Sequence, residues 1–143
     1  MLPPIRRAVA ADGPACAAIV DAWIDATPWL PRSISREALE TALTEGLPTR
    51  EAWVIGDPVM GYLSMDPAED HIWGFYIRQK GAGLGKQLMD HVKTGRGYLQ
   101  LNTQQSNTRA HAFYAREGFV KVGAPWDGDD GIPEIRMEWH AGG

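Results

Sequence analysis

Residues 72–77 read IWGFYI, residues 81–85 read GAGLG, and the segment that follows carries Leu84, Leu88 and Val92 on one helical face. A second extended run, YLQLNT, occupies 98–103. Strand, glycine loop, helix and strand in that order form a crossover unit, and the two strands of such a unit lie parallel. IWGFYI is apolar throughout, so it reads as a strand buried on both faces. No other feature of the chain restricts the fold as much, because it places a parallel pair and a crossing helix at the centre of whatever sheet forms.

The flanking segments supply antiparallel partners. Residues 5–9 read as a short strand. Asp12 reads as the cap of a helix over 13–26, with Gly13 and Pro14 just inside it and Ala15, Ile19, Ala22 and Trp23 at helical spacing. Two prolines in TPWLPRS break that helix. Ser35 is placed to cap a second one bearing Ala38, Leu39, Ala42 and Leu43, with Gly46 as its stop. Strands at 51–55 and 59–65 are joined by the turn signal GDP, and DPAED at 66–70 is a polar turn. Beyond the crossover lie a helix over 108–117 and strands over 119–123 and 134–139, joined by the loop APWDGDDGIP. Hairpins at both ends of a parallel crossover predict a mixed sheet with helices on both faces.

Composition narrows the function. The 143 residues suit one domain, with 44% hydrophobic and 22% charged residues as in a globular chain. The net charge of -4, with no basic run, argues against nucleic acid or an anionic membrane as partner. No segment approaches the ~20 apolar residues of a membrane span, and none reads as a signal peptide. The single cysteine, Cys16, allows neither an internal disulfide nor a cysteine-based metal site, which suits a reducing cytoplasm. The four histidines have no metal-ligand spacing, so no metal is expected.

The glycine loop points to an anionic ligand. It fails as a Walker loop, since only three residues separate Gly81 from Gly85 and Gln87 follows Lys86; GAGLG is also one residue short of the dinucleotide fingerprint. The physical case stands without those motifs. The first amides of a helix lack partners within it, and the helix dipole favours negative charge there. Glycines let a pyrophosphate approach the backbone. Lys80 and Lys86 bracket the loop with positive charge.

A second stretch, NTRAHAFYAREGF at 107–119, gives the loop a context. KGAGLG at 80–85, followed by Asn107, Ala110, Phe113, Tyr114, Gly118 and Phe119, resembles the paired motifs of the GCN5-related N-acetyltransferase (GNAT) superfamily, and the element order agrees over essentially the whole chain. The resemblance implies an α/β (α+β) fold: a mixed, mostly antiparallel sheet of about seven strands, a central splayed parallel pair and about four helices on both faces. It implies acetyl-CoA as cosubstrate, with the pyrophosphate held by Gly81, Ala82, Gly83 and Gly85 beside Lys80 and Lys86, and the pantetheine arm along Phe75, Tyr76 and Ile77. An amide of that strand would polarise the thioester carbonyl. Asn107 is expected to cap its helix and touch the cofactor, and Tyr114 to be the general acid. There are departures from the family pattern. Lys80 replaces Arg or Gln, only Arg78 and Gln79 precede the loop, and Trp73 stands where many members carry an acidic residue.

That last departure leaves the general base open among Glu69, Asp70 and His71. The acceptor pocket is expected near Trp29, Trp73 and Trp126, with Asp127, Asp129 and Asp130 as an acidic rim suited to a cation, unless that loop is simply a solvated hairpin. The acceptor would be a small-molecule or peptide amine, attacked directly in a ternary complex. Cys16 is expected to pack under the first helix and not to carry an acyl group. Exposed sheet edges would offer the surface for a homodimer. The competing readings are a CoA-binding module without catalysis and, against the failed motif spacings, a nucleotide binder.

Overall fold

The computed structural model describes residues 3–78, 82–128 and 131–142. Its seven strands are β1 (Ile5–Arg7), β2 (Glu51–Ile55), β3 (Gly61–Asp66), β4 (His71–Ile77), β5 (Tyr98–Gln104), β6 (Val120–Asp127) and β7 (Pro133–His140). They form one sheet in the order β1-β2-β3-β4-β5-β7-β6, in which only β4 and β5 run parallel. The crossover expected from IWGFYI and YLQLNT is therefore that pair. Its helix, α3 (Leu84–Lys93), lies on one face with α4 (Thr108–Arg116). The opposite face carries α1 (Gly13–Asp25) and α2 (Arg36–Gly46).

Strand alternation divides the core between the two layers. Leu63, Met65, Leu99, Leu101 and Met137 pack with Leu88, Met89 and Val92 of α3 and Tyr114 of α4. Ala52, Val54 and Tyr62 pack with Cys16, Ala17 and Val20 of α1 and Leu39 of α2. Cys16 is fully buried, and burial pushes its thiol up to about 12, so it supplies no thiolate at neutral pH.

Local chemistry explains most boundaries and corrects some. Ser35 caps α2 as expected, its hydroxyl accepting the Ala38 N–H. Asp12 stands at the N-terminus of α1 without capping it. A 3-10 turn over Ala10–Asp12 turns its carboxylate back to the Val9 N–H and to a bidentate pair with Arg6, both nitrogens at 2.8 Å. α2 ends at Gly46 as expected, but without a left-handed cap: the φ of Gly46 is -83° and the chain continues into a 3-10 turn over Leu47–Thr49. The last hairpin is longer than expected. Residues 124–127 belong to β6, so Trp126 sits on a strand opposite Glu134.

The largest correction falls on IWGFYI. Trp73 is 56% exposed, and residues 74–77 are only half-buried. Burial of both faces needs a layer packed on each, and Trp73 instead stacks on His71 with most of its ring open.

Candidate active site

β4 and β5 pair only at His71 with Gln100 and at Ile72 with Leu101. Beyond that point the strands part, and hydrogen-bond parity identifies the groups that face the gap. Arg78 donates to the Met60 carbonyl at 2.7 Å. Antiparallel pairs alternate between bonded and non-bonded, so Tyr76 and Gly74 also bond toward β3. The N–H and C=O of Phe75 and Ile77 therefore point into the gap. On the other side Gln105 donates to the Pro133 carbonyl, which puts Thr103 on the β7 side and turns the main chain of Asn102 and Gln104 to the gap. The Gln104 carbonyl is already taken by the Asn107 N–H and by His111 Nε2, each at 3.0 Å. Phe75 and Ile77 are left with main-chain groups that a bound chain can pair with, and Asn102 with its carbonyl, its N–H being taken by the last rung of the β4–β5 pairing.

A bulge sets which side chains flank this gap. Ser64 pairs with Gly74 but Met65 with Ile72, so Trp73 is the extra residue. The inserted residue shifts the side-chain period by one. As a result Phe75 and Ile77 pack toward α3 and α4, and Tyr76 packs toward α1.

On the α3 side, Gly83 adopts a left-handed φ of 76° and begins the helix. Gln87 is the first residue whose N–H returns to the Gly83 carbonyl, at 3.1 Å, so the amides of Leu84, Gly85 and Lys86 remain free for a ligand. A Cβ at Gly85 would lie 3.4 Å from both Phe75 and Phe113, an ordinary contact. Lys86 pairs with Asp90 at 3.4 Å and Glu117 at 3.5 Å, so its charge is shared with α3 and α4 and is not reserved for the loop. Gln79, Lys80 and Gly81 lie outside the described residues, as do Asp129 and Asp130.

Tyr114 stands on α4 within an aromatic group, its ring 6.3 Å from Phe75 and 5.6 Å from both Phe113 and Phe119. Its hydroxyl makes no hydrogen bond among the described residues. Burial, then the neighbouring Tyr76, holds the phenol well above its ordinary range, so it keeps its proton at neutral pH. Asn107 caps α4 by accepting the Ala110 N–H, which leaves its amide NH₂ free to donate.

The opposite face of the fork is polar. Glu69, His71, Gln100, Asn102, Trp126 and Arg136 line a cavity of about 560 Å³. Two of the three base candidates meet here. The third, Asp70, adopts a left-handed φ of 52°, pairs with Arg96 at 3.5 Å and does not line this cavity. His71 is 9% exposed and stacks on Trp73, with ring centroids 4.3 Å apart and planes 16° from parallel. Burial first, and then the charge of Arg136, lower its pKa below the usual imidazole value, against weaker upward effects of Glu69 and Asp66.

The three tryptophans expected around the acceptor part company. Trp126 lines the cavity and Trp73 backs His71, while Trp29 belongs to a separate group in which Trp23 contacts both Trp29 and Tyr76. Sequence reading missed Gln100, Asn102 and Arg136. The available signal was the alternation of YLQLNTQ, whose polar positions share one face.

A mixed sheet whose one parallel pair forks beside a glycine-started helix defines a GNAT-type acyltransferase fold. The family model described as an acetyltransferase (GNAT) domain matches residues 21–141. A peptidyl-lysine N-acetyltransferase, YjaB of Salmonella typhimurium, is 30% identical over 138 residues, covering 93% of this chain and 94% of its own length. The solution structure of apo YjaB from Escherichia coli aligns with a TM-score of 0.78 at 25% identity, over 97% of this chain and 98% of that one. YncA from Salmonella typhimurium, solved with its cofactor acetyl-CoA, aligns with a TM-score of 0.70 at 18% identity, over 98% and 94% of the two chains. The chain belongs to the GNAT acetyltransferase family and is an N-acetyltransferase.

Proposed function

We propose that the protein moves the acetyl group of acetyl-CoA to the primary amine of a lysine side chain in a peptide or of a small molecule, by direct attack in a ternary complex. The observation that carries this reading is the fork. It joins the free amides of α3 on one face of the sheet to the cavity around His71 on the other. The amides from Ala82 to Lys86 hold the pyrophosphate, and the gap-facing groups of Phe75 and Ile77 pair with the pantetheine arm. His71 takes a proton from the amine, whose nitrogen then attacks the thioester carbon. A gap-facing N–H of β4 donates to the developing oxyanion. As the C–S bond breaks, Tyr114 gives its proton to the thiolate sulfur.

Two measurements test this. Free thiol is followed with acetyl-CoA and a panel of polyamines, amino acids, aminoglycosides and lysyl peptides; turnover on one class is expected. CoA at 100 times its Kd should stabilise the fold by about 2.7 kcal/mol, and ATP should not. A melting temperature unmoved by CoA would overturn the assignment of the α3 amides. Binding without turnover of any amine would favour a non-catalytic CoA-binding module.

Gly85 gives a sharper check. Among the described residues nothing forbids a Cβ there, and alanine in a helix is preferred to glycine by roughly 0.5–1 kcal/mol. Gly85→Ala is therefore expected to match or exceed the parent in thermal stability. If the glycine makes room for a pyrophosphate, the same variant binds acetyl-CoA about tenfold more weakly, a loss of about 1.4 kcal/mol. Unchanged affinity would mean that the glycine is incidental.

A further inference from the structure

Arg136 differs in its surroundings from the arginines that tie elements together, such as Arg6 on Asp12 and Arg96 on Glu51. It projects from β7 into the wall of the cavity, opposite Asn102 of β5. Two neighbours on the same sheet face hold it: Nη2 donates to the Tyr98 hydroxyl at 3.1 Å and pairs with Glu138 at 2.9 Å. Glu138 is itself fixed by the Tyr98 hydroxyl at 3.0 Å and by His140 at 3.4 Å. Both contacts use one nitrogen. Nε is buried without a partner among the described residues, and Nη1 makes no hydrogen bond or ion pair among them. A buried donor without an acceptor is unfavourable and invites one. The side chain is still 41% exposed and Nη1 is not among its buried atoms, so an acceptor group can reach the guanidinium at Nη1.

The rest of the lining indicates the chemistry of that group. Among the described residues of the lining, Arg136 is the one Lys or Arg and Glu69 the one carboxylate. Gln100 and Asn102 add carboxamides beside them, although Gln100 already donates to the Glu69 carbonyl oxygen at 2.9 Å. A cation site and an anion site in one cavity match a molecule that carries both charges. The open Nη1 donor suits a carboxylate oxygen, which accepts a charge-assisted N–H bond. A phosphate dianion fits less well, because Glu138 already offsets the arginine and Glu69 shares the cavity.

We propose that Arg136 is a specificity-determining residue that binds a carboxylate on the acceptor, so that the preferred substrate is an amine bearing a carboxylate within the span of this cavity. This rests on the acetyl-transfer reading for the identity of the amine, but not for the binding of the carboxylate.

The test uses ω-amino carboxylates of three to six carbons, each beside its primary amide, with aminoalkyl phosphates of the same lengths. Equilibrium binding is measured by calorimetry in the presence of CoA, and turnover is measured with acetyl-CoA. At one chain length or more, the carboxylate is expected to bind about tenfold more tightly than its amide, with the difference in KM and not in kcat. Arg136→Gln should erase that preference and Arg136→Lys should keep part of it, with unchanged melting temperatures showing that both variants fold. Equal binding of carboxylate and amide at every length, a preference that survives Arg136→Gln, or a stronger preference for phosphate would each overturn the proposal. Carboxylate-dependent binding without turnover of any amine would instead overturn the acetyl-transfer reading and leave the role of Arg136 standing.

Discussion

Tyr114→Phe is expected to lower kcat about a hundredfold, the lower end of what a positioned proton donor supplies, while acetyl-CoA binding stays within about twofold. The separation follows from where the side chain sits. Its ring packs against Phe75, Phe113 and Phe119, and phenylalanine keeps all of those contacts. Its hydroxyl has no hydrogen-bond partner among the described residues, so its removal strands no buried group. The cost in stability should stay below about 1 kcal/mol, or roughly 2–4 °C in Tm for a chain of this size. Burial holds the phenol protonated far above neutral pH, so its loss removes a donor present in every molecule of enzyme. Single-turnover kinetics with saturating amine would locate the defect in the chemical step. An unchanged kcat would show that the leaving thiolate takes its proton from solvent, and that Tyr114 is a packing residue.

The same residue shows how far the sequence could be read. NTRAHAFYAREGF and KGAGLG specify a capped helix and a glycine-started helix, and both lie where those local patterns place them. Local chemistry also gave the Ser35 cap and the parallel crossover, since each depends on neighbours a few residues away or on element order. The bulge at Trp73 was not legible. An apolar run has no period to betray an inserted residue, so IWGFYI read as a strand covered on both faces. The insertion becomes visible only when Ser64 is seen opposite Gly74 and Met65 opposite Ile72.

The polar cavity was hidden for a related reason. Asn102 and Arg136 are 34 positions apart in sequence and meet only because β5 and β7 pair in that register. Trp126 reads as part of the loop APWDGDDGIP, whereas the strand continues through it after an irregularity in the β6–β7 register. Asp12 shows the reverse error. Its position and residue type were right for a cap, but a guanidinium six residues earlier and the Val9 amide claimed the carboxylate. In each case the nearest sequence neighbours were read correctly, and a partner set by register or by a turn decided the outcome.

His71→Gln is expected to lower kcat/KM at neutral pH by about 10²–10⁴, the range for loss of a general base, and to remove the acid limb of the pH profile. The position of that limb follows from the surroundings of the imidazole. Burial disfavours its charged form, Arg136 of β7 repels it, and Glu69 and Asp66 of the β3–β4 region only partly offset this. The neutral, proton-accepting form therefore persists to lower pH than the ordinary imidazole value of about 6.5. In the parent enzyme, activity should fall only as pH drops through this lowered pKa, so the limb lies on the acid side of 6.5. Stability carries the same signature. Between the ordinary value and the folded value the unfolded chain binds a proton that native His71 refuses, so stability declines as pH falls through that window. The glutamine variant should lose this part of the slope. It keeps a polar side chain against Trp73, so a collapse in activity with little change in Tm at neutral pH would mark a chemical role. An acid limb that persists in the variant would take the role of base from His71 and point to Glu69, the carboxylate among the described residues of the cavity wall.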